Sequence, residues 1–253
     1  MNHAIYPIHS VLIVVAHPDD AEFMCGGTAA TMAARGKEVS LLVVTSGEKG
    51  GDGSVGEVEL GRIRQAEEES SAAALGIRNV TFLRQPDGEI TPSLELRREI
   101  VREIRRRRPD LVITHNPIRH FGHGKHPDHL AVGEATLAAV DPTSGNPMAY
   151  PEMREEGLDA WPVDWVFAFD AEEPDHFEDI GSTVETKLAA LLRHRSQMPP
   201  AEHLDRAIRS VAGAFAAAAA ARGYPGLTYA EAFRKVFTGH ASRLHTDGQK
   251  VPA

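Results

Sequence analysis

The sequence predicts an α/β fold: one Rossmann-like, mostly parallel sheet with helices on both faces, in a single domain that spans residues 1–253. Three observations support this prediction. Short apolar runs alternate with longer helical segments through the first half of the chain, which is typical of a parallel sheet. The runs are continuous, as expected of strands that are covered on both faces. No stretch has the composition of a linker between domains.

The predicted strands are short apolar runs bounded by turn residues. In chain order they are 11–16, 39–45, 80–83, 111–114 and 163–169.

The predicted helices are periodic segments with recognisable ends. Ser93 is a candidate N-cap, whereas Gly36 and Gly76 are glycine stops. In chain order the helices are 22–35, 57–75, 93–107, 130–140, 183–195 and 201–222. Between these elements we expect a glycine-rich loop at 46–56, a turn at Pro86-Asp87-Gly88, and an excursion with little regular structure at 141–161.

The composition argues against several classes of function. The net charge is -9, with 36 acidic against 27 basic residues, and an acidic chain repels the phosphates of nucleic acids. The four arginines at 105–108 end a predicted helix, where we expect them to be solvated. No signal peptide or membrane-spanning run is evident, and the single cysteine, Cys25, is expected to be buried. We therefore expect a cytoplasmic protein with neither nucleic-acid nor membrane partners.

Two short clusters of histidine and aspartate stand out from the rest of the chain. His17-Pro18-Asp19-Asp20 follows the first predicted strand, and His126-Pro127-Asp128-His129 comes after the strand at 111–114. Ligands of open α/β sheets bind beyond the carboxyl ends of the strands, so both clusters are expected at one edge of the sheet. Imidazole and carboxylate groups are ligands that zinc selects, and the sequence therefore predicts a metal site at this edge.

We expect three protein ligands, because catalytic zinc sites keep the fourth position for water. His17 and Asp20 are three residues apart across a turn into a helix. His129 is the third candidate because it opens a helix and is better fixed than the residues before it, with His123 and His126 as alternatives. The competing interpretation is that the aspartates cap a helix and the histidines are ordinary surface residues.

The other members of the two clusters suit proton transfer and orientation. Asp19 adjoins a ligand and can accept the proton of a zinc-bound water. Asp128 can hydrogen-bond an imidazole and fix its tautomer. His126 is free to act as an acid or to stabilise the oxyanion of a tetrahedral intermediate.

At these motifs the sequence resembles the LmbE-like, or PIG-L, family of zinc-dependent N-acetylglucosamine deacetylases. The first family motif stands here as Ala-His-Pro-Asp-Asp-Ala-Glu at 16–22, and the second is matched fully at 126–129. Weaker matches cover the helix with Arg64, the turn with Asp87, and the segment 185–197. Ala21 departs from the pattern, in which many members have glutamate directly after the two aspartates. Here the acid is Glu22, and we expect the change to affect helix capping more than catalysis.

The resemblance implies a cofactor and a set of roles. Arg64 and Asp87 match positions that hold sugar hydroxyls, and His194 lies in a segment that approaches the active site, in some relatives from a neighbouring subunit. The alternative for His194 is a surface histidine near a helix end. A homo-oligomer is expected, with a trimer or hexamer favoured. By resemblance Zn²⁺, or another divalent metal, is held by His17, Asp20 and His129, with Asp19 as general base, His126 as acid or oxyanion stabiliser, and Asp128 as an outer partner.

The leading functional hypothesis is a zinc-dependent hydrolase that removes an N-acetyl group from an N-acetylglucosamine-type amino sugar or its conjugate, by attack of zinc-bound water on the amide. An amidase of another small amide, such as a thiol-sugar conjugate or an antibiotic precursor, is an alternative. A metal-dependent phosphoesterase is disfavoured because no second metal motif and no arginine cluster near the motifs are evident. A nucleotide-binding module is disfavoured because the glycine-rich phosphate loop is missing.

Overall fold

The fold is built on one seven-stranded sheet, seen in a computed structural model that describes residues 8–118 and 126–238. In chain order the strands are β1 (Ser10–Val15), β2 (Glu38–Thr45), β3 (Asn79–Gln85), β4 (Leu111–His115), β5 (Trp165–Phe169), β6 (His176–Asp179) and β7 (Ala230–Phe237). Their order across the sheet is β3-β2-β1-β4-β5-β7-β6. The first five are parallel, whereas β7 is antiparallel to both of its neighbours. The predicted mostly parallel sheet is confirmed.

The helices lie between these strands, on both faces of the sheet. They are α1 (Asp20–Ala34), α2 (Glu57–Leu75), α3 (Leu94–Arg107), α4 (Pro127–Ala138), α5 (Pro151–Glu155), α6 (Val184–Leu191) and α7 (Ala201–Ala221), with a π-helical segment at Ala139–Ser144. The Ser93 side chain accepts the N–H of Leu96, as expected of the predicted N-cap. Gly76 ends α2 at a φ of 80°, which glycine adopts without steric cost.

The core has two layers because successive residues of a strand point to opposite faces of the sheet. On one face Ile13 and Leu41 pack with apolar residues of α1 and α2. On the other face Leu12 and Leu42 pack with apolar residues of α3 and α4. This two-sided burial is why β1 is apolar at almost every position, and burying each such side chain contributes about 1.5–3 kcal/mol.

The second half of the chain departs from the prediction at several places. The strands β6 and β7 are not among the predicted elements, because each mixes charged with apolar residues and has no continuous apolar run. Helix α4 begins at Pro127, so His129 lies in its first turn and His126 immediately precedes it. Helix α6 ends at Leu191, so His194 lies beyond the helix.

Arg105 corrects the expectation that the four arginines at 105–108 are solvated. Its guanidinium is buried and donates hydrogen bonds to the carbonyl oxygens of Ser144, Asn146, Ala149 and Tyr150. Those residues belong to the excursion at 141–161, and three of the four carbonyl oxygens also accept a backbone N–H within it, from Ala149, Met153 and Trp161. Arg105 therefore fastens the excursion to α3.

The sheet order places the two predicted clusters side by side. β1 and β4 are neighbouring parallel strands, with Val14 in register with Thr114. The residues that follow both strands consequently lie at the same edge of the sheet. Cys25 is fully buried, as predicted. Among the described residues, no helix is both long enough and apolar enough to cross a membrane.

Candidate metal centre and its surroundings

Three side chains from the two clusters meet at the carboxyl ends of β1 and β4. His17 Nδ1 lies 3.2 Å from His129 Nε2 and 3.4 Å from Asp20 Oδ2, and His129 Nε2 lies 3.1 Å from Asp20 Oδ1. Tetrahedral zinc with bonds of about 2.0–2.2 Å places neighbouring ligand atoms roughly 3.3–3.6 Å apart. These three groups form a donor triangle in which each histidine faces a different oxygen of Asp20, and its separations are close to those that a zinc ion requires.

The charges around this triangle also favour a cation. Burial by itself lowers the pKa of His17, but hydrogen bonds to Asp20 and Asp87 outweigh it and raise the pKa to about 10. Burial by itself raises the pKa of Asp20, but bonds to His115, His129 and His17 hold it well below its usual range. The buried carboxylates thus stabilise positive charge at this site, and a divalent cation would supply such a charge.

The short connection between β1 and α1 orients the first two ligands. The backbone N–H of His17 donates to Asp20 Oδ2 at 2.8 Å, which ties the two residues together. Asp19 between them has a left-handed backbone with a φ of 85°, and its side chain makes no capping bond to α1. A non-glycine residue in this region costs about 1–3 kcal/mol, and such strain concentrates at functional sites. Helix capping is therefore not what the Asp19 carboxylate does.

The second nitrogen of His17 has its own partners. His17 Nε2 lies 3.2 Å from Asp128 Oδ2 and 3.0 Å from Asp87 Oδ1. Asp128 is fully buried and also accepts the backbone N–H of Gly88 at 2.7 Å. A proton held on Nε2 by these carboxylates would leave Nδ1 as the nitrogen that binds a metal, which fits the orienting role expected of Asp128.

Asp87 is buried beside the metal ligands, whereas a residue that binds a sugar was expected at the open rim of the pocket. Besides His17, its carboxylate accepts the backbone N–H of Lys49 at 3.2 Å, and its side chain is only 8% exposed. Burial by itself raises the pKa of Asp87, but its contacts with His17 lower it below the usual value. The structure therefore gives Asp87 the position of an outer partner of His17.

His115 is a member of the site that the sequence interpretation missed. It is the last residue of β4, and its ring stacks on that of His129 with centroids 4.2 Å apart. Its Nε2 accepts the backbone N–H of Ala16 at 3.1 Å and lies 3.5 Å from Asp20 Oδ2. Burial lowers its pKa to about 4, so the ring is neutral. A histidine at the carboxyl end of a strand beside β1 was the available signal.

Arg64 holds Asp19 and does not line an open rim. Its guanidinium is 4% exposed, and it donates to Gly47 O at 2.8 Å, Pro18 O at 2.7 Å and Asp19 Oδ2 at 3.2 Å. A Cβ on Gly47 or Gly50 would come within 2.4 Å of this guanidinium, so both glycines let the loop approach it. Arg64 thus fixes the carbonyl of Pro18 and the carboxylate of Asp19 in this structure, and the sugar contact that the resemblance implies stays a prediction.

His126 is the exposed member of the second cluster. Its ring lies edge-on to that of His17 with centroids 4.7 Å apart, and its Nδ1 accepts the backbone N–H of Asp128 at 3.3 Å. That bond assigns the proton of the neutral ring to Nε2, which is then free to donate. Burial and the neighbouring His17 lower the pKa of His126. This arrangement suits the predicted contact to a developing oxyanion.

His194 is buried and does not face a substrate. Its side chain is 0% exposed, with Nε2 3.6 Å from Glu22 Oε2 and 3.9 Å from Glu68 Oε2. Neither the predicted substrate contact nor the surface alternative describes this position, because no solvent reaches it. Glu22 is also fully buried and accepts a hydrogen bond from Ser71 at 2.6 Å, so its carboxylate is paired with α2.

Other groupings of ligand atoms occur nearby. Among the described residues, three of these groups share a histidine with the donor triangle, and a fourth is separate. The three are His17 with His126 and His129, His129 with Asp20 and His115, and His17 with Asp87 and Asp128. The separate group consists of Glu22, Glu68 and His194. The alternative third ligand His123 lies outside the described residues. His115 is the weaker donor, because the Nε2 that faces Asp20 already accepts the N–H of Ala16.

The sequence of the chain matches a known family. The sequence model of PIG-L, described as GlcNAc-PI de-N-acetylase, matches residues 12–140. Diacetylchitobiose deacetylase of Thermococcus kodakarensis is 34% identical over 79% of this chain and 74% of its own length. 1D-myo-inositol 2-acetamido-2-deoxy-alpha-D-glucopyranoside deacetylase of Rhodococcus erythropolis is 31% identical over 74% of this chain and 81% of its own length.

Solved structures agree with this sequence relationship. N,N'-diacetylchitobiose deacetylase of Pyrococcus horikoshii superposes with a TM-score of 0.83 at 29% identity, covering 91% of this chain and 85% of that one. GalB, the 4-carboxy-2-hydroxymuconate hydratase of Pseudomonas putida, shares the fold with a TM-score of 0.76 at 24% identity, covering 90% of this chain and 96% of that one. Since the matched segment contains both clusters that build the donor triangle, the chain belongs to the PIG-L family.

Proposed function

We propose that this chain is a zinc-dependent amidohydrolase that removes the N-acetyl group from an N-acetylglucosamine-type amino sugar or its conjugate. The observation that carries the proposal is the triangle of His17 Nδ1, Asp20 and His129 Nε2, which has the size of a zinc site. Related proteins are named as deacetylases of diacetylchitobiose and of an inositol-linked acetamido sugar, which supports this substrate class.

The residues of the site have different roles in amide hydrolysis. When bound, zinc supplies a Lewis acid for the amide carbonyl and lowers the pKa of water to about 7. Asp19, held by Arg64, accepts the proton of the attacking water and returns it to the departing amine. His126 donates from Nε2 to the amide oxygen as negative charge develops on it.

The surroundings of the triangle keep these groups in place. Asp128 and Asp87 orient the ring of His17 through its Nε2, and His115 stacks on His129. Such outer partners set the direction of a ligand's lone pair and commonly change metal affinity by about 10–100-fold when removed. The site is thereby prepared before a substrate enters.

The fold alone does not decide the reaction, since a hydratase shares it. An amide other than an acetylated sugar remains the second candidate, because structural neighbours include deacetylases of the antibiotics A40926 and teicoplanin. Phosphoester cleavage fits less well. Arg64, the arginine that contacts the site among the described residues, is buried and occupied by Asp19, Gly47 and Pro18.

The proposal is tested by product analysis on the zinc-reloaded protein. N-acetylglucosamine, diacetylchitobiose, an N-acetylglucosaminyl inositol and a sugar phosphate are each incubated, and free amine, acetate and phosphate are measured. We expect equal amounts of amine and acetate from an N-acetyl sugar and no phosphate. His129→Ala should lose both activity and zinc, whereas His203→Ala, an exposed histidine on α7, should keep both. Phosphate release without amine would contradict the proposal.

A further inference from the structure

The backbone N–H of Asp19 is bound by a carboxylate that takes no part in the proposed reaction. This N–H donates to Glu68 Oε2 at 2.9 Å, across 49 residues of chain. Glu68 lies on α2, one helical turn after Arg64, so residues on one face of this helix hold both ends of Asp19. Arg64 contacts its carboxylate and Glu68 contacts its amide.

The Asp19 backbone depends on such contacts because its conformation is unfavourable. The φ of 85° is rare for a residue with a side chain, and the carboxylate does not stabilise itself by capping α1. A strained conformation persists only where its surroundings over-determine it. In this structure those surroundings are the Glu68 acceptor, the Arg64 guanidinium, and the carbonyl of Pro18 that Arg64 also binds.

Glu68 itself lies within a closed cluster of buried polar side chains. Glu22, Glu68 and His194 are each 0% exposed, and their ligand-type atoms lie within 4.8 Å of one another. The Ser71 hydroxyl lies 2.6 Å from Glu22 Oε1 and 3.0 Å from the carbonyl oxygen of Ala190, and these contacts join the cluster to α2 and α6. Burial and the neighbouring Glu22 raise the pKa of Glu68 well above its usual value.

We propose that Glu68 is a positioning residue for Asp19: it accepts the Asp19 N–H and, backed by Glu22 and His194, holds the left-handed backbone that presents the Asp19 carboxylate. This inference rests on the proposed function, in which Asp19 is the base. It assigns His194 to the support of the base and not to the substrate. It also gives Glu22, which is grouped with Glu68 and His194, a role for its carboxylate beside the metal site.

Two variants of Glu68 distinguish the positioning of Asp19 from a contribution of the Glu68 side chain to packing alone. Glu68→Gln keeps an oxygen that accepts the Asp19 N–H, whereas Glu68→Met keeps the length of the side chain and loses the acceptor. Glu68→Met should lower kcat by about tenfold or more, within the range for a positioned base, with KM and zinc content unchanged. Glu68→Gln should restore kcat to within about threefold of the parent protein. Equal losses in the two variants would overturn the proposal.

The double variant tests whether Glu68 acts through Asp19. In an Asp19→Asn background the base is absent, so Glu68→Met should change the residual kcat by less than about twofold. An undiminished effect in that background would mean that Glu68 serves the fold in general. The matched control is Glu67→Met, next to it on α2, whose carboxylate pairs with Ser196 and which should leave kcat unchanged.

A measurement without turnover distinguishes failure of this inference from failure of the proposed function. Amide hydrogen exchange of zinc-loaded protein should show the Asp19 N–H protected in the parent and in Glu68→Gln. Free exchange of that amide in the parent protein would overturn the inference even if the enzyme is active or if Glu68→Met does not fold. A second equivalent of zinc that Glu68→Gln removes would also overturn it, because the cluster would then be a metal site.

Discussion

His17 and Asp128 are 111 residues apart in the sequence and are joined by a contact of 3.2 Å between Nε2 and Oδ2. The same carboxylate accepts the N–H of Gly88, in the turn after β3, at 2.7 Å. One buried aspartate on α4 therefore connects the segment after β1 with the segment after β3. Through His17 it also sets which ring nitrogen faces the other ligands.

Removing Asp128 should weaken the metal site without removing a ligand. In Asp128→Ala the His17 ring loses an orienting partner and the N–H of Gly88 loses its acceptor. We expect zinc affinity to fall by about 10–100-fold, measured by competition with a chelator of known affinity. The control is Glu134→Ala, an exposed residue on the same helix. Unchanged affinity in Asp128→Ala would show that His17 is oriented by other contacts.

Gly133 allows α4 to lie directly on β4. A Cβ at this position would come 2.5 Å from the carbonyl oxygen of His115, which belongs to the backbone and cannot turn aside. Gly133→Ala should therefore displace α4, destabilise the fold by about 1–3 kcal/mol and reduce zinc affinity, because His129 is in the first turn of this helix.

A second glycine provides the control for that substitution. Gly213 lies in α7 with nothing within 4 Å of its Cβ position, so Gly213→Ala should stabilise the protein by up to about 1 kcal/mol. Denaturant unfolding and chelator competition measure the two effects separately. Equal stability of the two alanine variants would contradict the close approach of α4 to β4.

Arg64→Ala tests whether this arginine serves the base or the sugar. Because Arg64 binds Asp19 and is buried, its loss should lower kcat/KM by a similar factor, about tenfold or more, for an N-acetyl sugar and for a minimal acetamide. Zinc content should not change. A loss confined to the sugar would restore the role in binding hydroxyl groups that the family resemblance implies.

The sequence was sufficient to predict the sheet and the meeting of the two clusters. Continuous apolar runs identify the parallel strands, and parallel strands bring the residues that follow them to one edge, as β1 and β4 do here. Neither inference requires the positions of side chains. The strands β6 and β7 gave no such signal, because both carry charged residues among the apolar ones and neither has a continuous apolar run.

The contacts of Arg64, Asp87 and His194 could not be predicted in the same way. All three were expected at the substrate side, and the structure buries each of them against a residue of the site or its support. Which side of a helix or turn faces the pocket depends on packing between elements far apart in sequence. His115 was missed for a simpler reason: the predicted strand ended one residue before it.

Arg105→Ala tests the fastening of the excursion at 141–161. The variant loses four hydrogen bonds from a charged donor and the packing of a buried side chain, and we expect the free energy of unfolding to fall by about 2–4 kcal/mol. Arg106→Ala, at the exposed next position, should cost less than about 1 kcal/mol. Urea unfolding measures both, and similar values would contradict the burial of the Arg105 guanidinium.

The central claim is that neighbouring aspartates have separate duties: Asp20 binds the metal and Asp19 moves a proton. The most direct measurement is zinc content by elemental analysis, together with kcat, for Asp19→Asn and Asp20→Asn purified in parallel. We predict that Asp20→Asn loses zinc and turnover together. Asp19→Asn should keep a full equivalent of zinc while kcat falls by about 10²–10⁴-fold. Loss of zinc from Asp19→Asn with retention in Asp20→Asn would contradict the assignment.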